Sequence, residues 1–138
     1  MQQLDDILRS AKTIAVVGCS ADPSRTSYAI SKYLLQVGYE MIPVNPSYEE
    51  VHGQVCYPDM NAIPDDIQVD IVNIFRRPGY TASMVEDVIE RVERTGEKPV
   101  IWTQIGVSSK QAQTLAEEAG LPYVKNRCIM VVHSQMEA

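Results

Sequence analysis

Short apolar runs alternate along this chain with longer stretches in which apolar residues recur every three or four positions. The first run, Ile14-Ala15-Val16-Val17, stops at Gly18. A polar turn, Cys19 to Ser24, follows it. Tyr28, Ile30, Tyr33, Leu34 and Val37 then fall at helical spacing. The pattern predicts a buried strand, a tight turn and a helix that Gly38 stops. Before the strand, Leu4, Ile7 and Leu8 turn inward from a short amphipathic helix.

The alternation continues. Tyr39 to Val44 reads as a second strand, ending in the turn Asn45-Pro46-Ser47. Residues 47 to 66, broken by Gly53, Pro58 and Pro64, read as an irregular connection with at most short helical turns. Val69 to Phe75 is a third strand. Met84, Val85, Val88, Ile89 and Val92 mark a helix that ends at Gly96, with Ser83 and Glu86 as a capping box near its start. Pro99 to Thr103 is a fourth strand. A helix from about Ser108 turns Ala112, Leu115, Ala116 and Ala119 inward and stops at Gly120. Pro122 to Val124 is a fifth strand, and Cys128 to Val132 reads as a further strand or a buried tail.

Buried strands alternating with amphipathic helices imply βαβ units and a parallel sheet covered on both faces. Right-handed crossovers then give one doubly wound, Rossmann-like α/β domain over residues 1 to 138, its mainly parallel sheet built of five to six strands. Ligands of such sheets lie beyond the carboxyl ends of the strands. Those ends are Gly18-Cys19-Ser20 with Arg25, Ser27 and Tyr28; Asn45-Pro46; Phe75-Arg76-Arg77-Pro78; and Gln104-Ile105-Gly106.

Charge sharpens this. The net charge is −6 over 138 residues, which disfavours sequence-independent nucleic-acid binding. The strand ends nevertheless gather Arg25, Arg76 and Arg77, with Asp22 the nearest carboxylate in the sequence. A local cationic cluster on an acidic chain suits a small anion. No stretch has the length of a membrane span, and the polar N-terminus is unlike a secretion signal. Three scattered cysteines, Cys19, Cys56 and Cys128, fit a reducing, cytoplasmic setting. No CxxC or HxxxH spacing indicates a metal site.

Which anion is narrowed by what the turn lacks. There is no GxGxxG after the first strand; positions 20 and 23 are Ser and Pro. Asn45 and Pro46 stand where a dinucleotide site carries an acid for the ribose hydroxyl. A nucleotide with an extra ribose phosphate fits this pattern, so coenzyme A and NADP both qualify. The Walker pattern GxxxxGK[ST] is missing too.

Four segments carry a family resemblance: VVGCSADPSRTSYAISKYLLQVGYEMIPVNP, VDIVNIFRRP, WTQIGV and the late NRC. From about Ile7 to His133 the chain resembles the small single-domain CoA-binding proteins, which are similar to the CoA-binding domain of the succinyl-CoA synthetase α subunit. The resemblance implies coenzyme A, or an acyl-CoA, in the strand-end groove. It implies that Gly18, Cys19, Ser20, Arg25, Ser27 and Tyr28 line the pyrophosphate and that Asn45 and Pro46 border the adenosine. Phe75, Arg76, Arg77 and Pro78 would cover the adenine or phosphate flank, and Gln104, Ile105 and Gly106 the pantetheine path. The synthetase's phosphorylated histidine belongs to a further domain, and neither His52 nor His133 matches it.

No nucleophile–base–orienter set is visible. His52 and His133 read as solvated or structural, Cys56 as a small buried or loop residue, and Cys128 as core. Cys19, at a helix N-terminus among arginines, has a setting that lowers a thiol pKa. That gives the expectation of a mixed disulfide with the ligand's thiol. The reading is a CoA binder without catalysis of its own, with a small-molecule partner, no nucleic acid and no membrane, and a homodimer left open. An NADP-dependent oxidoreductase subunit and a ligand-free structural or interaction domain are the alternatives.

Overall fold

Thr13–Val17, buried at all five positions, is the strand about which the fold is laid out. The computed structural model describes residues 2 to 136; residue 1 and residues 137 and 138 of the expected domain lie outside the described residues. In chain order the elements are α1 (Gln2–Ser10), β1 (Thr13–Val17), α2 (Thr26–Gln36), β2 (Glu40–Val44), β3 (Glu50–Val51), β4 (Gln54–Val55), β5 (Ile71–Ile74), α3 (Pro78–Thr95), β6 (Val100–Thr103), α4 (Lys110–Glu118), β7 (Tyr123–Val124) and α5 (Ile129–Ser134). A single 3₁₀ turn, Met60–Ala62, precedes β5.

The main sheet runs β2-β1-β5-β6-β7, with every neighbouring pair parallel. Alternate residues of β1 feed opposite cores, as the two-residue period of a strand requires. Ala15 and Val17 join Val72, Ile74 and Ile101, covered by Val85 and Val88 of α3 and Ala112 and Ala116 of α4. Ile14 and Val16 join Met41, Ile71 and Trp102, covered by Leu8 of α1, Ile30 and Leu34 of α2, and Ile129 of α5. Helices on both faces and winding that reverses beside β1 make this the doubly wound α/β domain read from the pattern. Its sheet has five strands.

Register sets the working edge. Val17 pairs with Val44 on one side and Ile74 on the other, and Ile74 pairs with Thr103. The next residues, Gly18, Asn45, Phe75 and Gln104, therefore form one row. The winding reverses between β1 and β5, so the switch point lies at Gly18 and Phe75.

Several local expectations fail for identifiable reasons. Cys128 to Val132 is no strand: Ile129 opens α5, its N–H donating to Gln104 Oε1 at 2.9 Å. The Ser83–Glu86 capping box does not form, because α3 already begins at Pro78, whose fixed φ suits a first helical turn. The buried stripe of α2 is Ser27, Ile30, Ser31 and Leu34; Val37 ends the helix 40% exposed. The connection from 47 to 66 contains a hairpin, β3 with β4, joined by His52 and Gly53 at φ 54° and 77°. Two positive φ values are what a type I′ turn needs. His52 holds that conformation because Nε2 lies 3.0 Å from both Ser31 Oγ and the Tyr28 carbonyl, with its ring 4.4 Å from that of Tyr28.

Below the hairpin, the fully buried Arg91 organises residues 60 to 67. It pairs with Glu97 at 2.5 Å and donates to the carbonyls of Met60, Ile63, Pro64 and Ile67. Glu97 in turn accepts from Val69 N–H at the approach to β5. A buried guanidinium is tolerated only when its donors are satisfied in this way.

Candidate functional site: a two-part groove at the switch point

Gly18 is where the sheet opens. Its φ is 84°, and a Cβ there would stand 2.5 Å from the Phe75 carbonyl oxygen. Only glycine lets β1 turn away so close to the end of β5. Its N–H donates to the Val44 carbonyl at 2.8 Å, so this residue touches both neighbouring strand ends.

The turn that follows is built from its own hydrogen bonds. Ser20 N–H donates to Ser27 Oγ at 3.0 Å, and Asp22 N–H donates to Ser20 Oγ at 3.0 Å. Asp22 accepts from the backbone and the hydroxyl of Ser24; these bonds, with Arg25 nearby, hold its carboxyl below the usual range. Asn45 ties the turn to β2: Nδ2 donates to the Cys19 carbonyl at 3.0 Å and Oδ1 accepts from Ser47 N–H at 2.9 Å. That double role requires an amide. A carboxylate could not donate to Cys19.

Between this turn, Ser47–Tyr48 and Phe75–Arg76 lies a polar cavity of about 660 Å³. Ser20, Ser24, Thr26, Ser27 and Tyr48 bring hydroxyls to it; Arg25 and Arg76 bring positive charge. The first turn of α2 carries no acidic residue, and an anion at that end meets the favourable end of the helix dipole. Arg76 lies over the ring of Tyr80 at 5.1 Å, and its buried Nε has no partner among the described residues. An unpaired buried donor beside a polar cavity is what an absent acceptor would leave.

A narrower groove of about 100 Å³ opens on the other side of Gly18 and Arg76. Val17, Val44, Pro46, Pro58, Met60 and Met84 wall it, with Asp59 and Asp87. Burial, then the negative charges of Asp59, Glu90 and Glu86, push the Asp87 carboxyl up. The edge is therefore not free of carboxylates beyond Asp22. Folding brings Asp59 and Asp87 to it from the irregular connection and from within α3.

The family model described as a CoA binding domain matches residues 12–134. The chain belongs to the CoA-binding domain family. An uncharacterised protein of Bacillus subtilis, YneT, is 36% identical over 132 residues, covering 96% of this chain and 93% of that one. A hypothetical protein from Pyrococcus horikoshii OT3 superposes with a TM-score of 0.89 at 40% identity, over 97% of this chain and 89% of that one. An ADP-forming acetate–CoA ligase of Methanocaldococcus jannaschii is 29% identical over 97 residues; the match covers 70% of this chain but 13% of the ligase.

In this CoA-binding domain, seven of the residues singled out from sequence meet at the polar cavity: Gly18, Ser20, Arg25, Ser27, Asn45, Phe75 and Arg76. Pro46 lines the inner groove. The others stand elsewhere. Arg77 is the exposed N-cap of α3, and Pro78 its first residue. Tyr28 faces His52. Gln104 is buried, its Oε1 accepting from Asn73 Nδ2 at 3.1 Å and from Ile129 N–H. Ile105 is 71% exposed, and Gly106 N–H donates to Asn126 Oδ1; both lie further along the edge, past β5. Asp22, Ser24, Thr26 and Ser47, which lie within the turns and segments marked at the strand ends, also line the groove, as do Tyr48, Asp59, Met60, Met84 and Asp87, which lie outside them.

Cys19 requires a correction. It is fully buried in the core beneath the turn, with Ile14 and Val16. Burial pushes its thiol up to about 11, against a weaker lowering contact from Ser31. Desolvation outweighs the helix end and the arginines. The basis for a reactive Cys19 and a mixed disulfide is gone.

Proposed function

We propose that this domain binds coenzyme A, or an acyl-CoA, in the groove at the switch point and has no catalytic chemistry of its own. The observation that carries the proposal is the polar cavity beside Gly18, where hydroxyls, a helix N-terminus and Arg25 and Arg76 converge on one small volume. Its size falls in the usual range for small-ligand sites, about 300–1,000 Å³. Arg76 supplies the buried, unpartnered donor that a phosphate oxygen would satisfy. Membership of the CoA-binding family and the likeness to part of an acetate–CoA ligase support the choice of ligand.

Phosphate groups would rest on the α2 end, with Ser27 and Arg25 donating; Ser27 Oγ accepts from Ser20 N–H and keeps its own proton to give. Arg76, common to both parts of the groove, takes the phosphate nearest the ribose. The histidines support a binding rather than a catalytic reading: His52 is engaged by Ser31 and Tyr28, and His133 Nδ1 lies 2.7 Å from the Tyr33 hydroxyl.

The test is a melting-midpoint panel with coenzyme A, acetyl-CoA, NADP and NAD, alongside mass identification of any nucleotide released on denaturation. A ligand specific to the folded state raises the midpoint by mass action. Coenzyme A and acetyl-CoA should raise it and NAD should not. A rise with NADP alone would replace the proposal with the dinucleotide reading.

A further inference from the structure

Residues 45 to 57 leave β2 as a strap whose first part, with Asn45, Ser47 and Tyr48, walls the polar cavity. Its two ends are tied together at β2: Asn45 N–H donates to the Tyr57 carbonyl at 2.9 Å, and Tyr57 N–H donates to the Pro43 carbonyl at 3.1 Å. β3 and β4 form its far end, where His52 and Gly53 make the turn. Val51 is buried in the same core as Ile30 and Leu34 of α2. The Tyr48 hydroxyl lies 3.4 Å from Ser20 Oγ.

We propose that His52 is a positioning residue for ligand binding: it pins the tip of this strap to α2 and so holds the Tyr48 hydroxyl at the cavity wall, aimed at the phosphates of the ligand. The inference rests on the coenzyme A reading and adds how one wall of that site is kept in place.

The hydrogen bonds set the direction of each proton. The Tyr28 carbonyl can only accept, so His52 Nε2 carries the hydrogen between them at 3.0 Å. Ser31 Oγ gives its proton to the Ser27 carbonyl at 2.6 Å and accepts from the same Nε2. Tyr28 and Ser31 belong to the first two turns of α2, the helix whose N-terminal residues Thr26 and Ser27 line the cavity. The tether and the anion-facing end are thus parts of one rigid element. At the cavity, Ser20 Oγ accepts from Asp22 N–H at 3.0 Å and directs its own proton to Tyr48. That leaves the Tyr48 proton for a phosphate oxygen.

The residue type at the tip carries the same message. His52 holds a φ of 54°, and the turn it makes with Gly53 is one that Asn-Gly forms best. For the turn alone, histidine is the poorer choice. What it adds is reach: an imidazole spans from the hairpin to α2, and an asparagine amide, one bond closer to the backbone, stops short. A strained residue held by surrounding bonds points to a role beyond the turn itself.

The experiment is isothermal titration with coenzyme A of wild type, Tyr48→Phe, His52→Asn, His52→Gln and the double variant Tyr48→Phe/His52→Asn, with melting curves of each ligand-free protein. Tyr48→Phe removes only the hydroxyl and should weaken binding about three- to tenfold, the worth of one hydrogen bond. His52→Asn suits the turn, so the melting midpoint should hold while affinity falls about threefold or more. His52→Gln, whose amide reaches about as far as Nε2, should restore most of the affinity. In the Tyr48→Phe background, His52→Asn should change affinity less than twofold, because both act through one contact. Wild-type affinity in Tyr48→Phe or in His52→Asn overturns the inference. So do equal losses from His52→Asn in both backgrounds, or loss of the fold in His52→Asn, either of which makes His52 merely structural. In all these cases the coenzyme A reading stands; failure of wild type to bind coenzyme A removes both.

Discussion

Replacing Gly18 with alanine tests whether the switch point is as tight as its geometry implies. Two penalties combine. A φ of 84° is unfavourable for a residue with a Cβ, at about 1–2 kcal/mol. The new methyl would also sit 2.5 Å from the Phe75 carbonyl oxygen and 3.1 Å from Arg76 Cδ. The carbonyl belongs to backbone at the end of a central strand and cannot rotate aside, so relief means moving β1 and β5 apart, at about 1–3 kcal/mol for overpacking. The expected loss is about 2–5 kcal/mol, a large part of a typical domain's stability. Gly120 is the control. Its φ is 77°, but nothing lies within 4 Å of its added Cβ, so Gly120→Ala should cost the conformational part alone. Urea unfolding with an unchanged m-value reads both. If Gly18→Ala falls within about 0.5 kcal/mol of Gly120→Ala, steric closure at the switch point is wrong.

Three further outcomes follow. Arg91→Ala leaves Glu97 buried and unpaired and strips four carbonyls of their donor, so unfolding free energy should fall by about 3–5 kcal/mol; a loss under about 1 kcal/mol would mean the pair is not as buried as described. Asp87 has a raised folded-state pKa, so its contribution to stability is present below the ordinary carboxylate pKa and is lost as pH rises through the folded value. Asp87→Asn should therefore raise the melting midpoint of the ligand-free protein at pH 7, with the gain shrinking toward pH 4; a gain independent of pH contradicts the cause given. Cys19 should resist iodoacetamide at pH 8 in the native protein and react once unfolded, while the less buried Cys128 reacts first; peptide mass mapping decides, and native labelling of Cys19 contradicts its burial.

The strands were legible because burial on both faces writes itself as apolar runs, such as Ile14 to Val17 and Val100 to Trp102. The edge could be read from where those runs stop, and it delivered Gly18, Ser20, Arg25 and Arg76 to one cavity. The hairpin is not legible in the sequence because only one of its two turn positions, Gly53, is a residue that favours positive φ, and the other, His52, is held there by tertiary bonds to α2. Tyr48, Asp59 and Asp87 were hidden for a related reason: they lie in the middle of a connection or a helix, and only the path of the chain carries them to the switch point. Asn45 lines the cavity from the end of β2, where it bridges Cys19 and Ser47, a structural role that the end of a strand does not announce. Cys19 shows the limit of reasoning from position alone: the helix end and the arginines were visible, whereas the side chain's direction into the core was not.

Isothermal titration with coenzyme A of wild type, Arg76→Ala and Arg77→Ala tests the central claim most directly. The account predicts saturable one-site binding by wild type, a loss of about tenfold or more in Arg76→Ala, where a charged hydrogen bond of about 1.5–3 kcal/mol is removed, and near-wild-type affinity in Arg77→Ala, whose side chain stands outside the groove. No binding by wild type, or equal losses in the two variants, would contradict it.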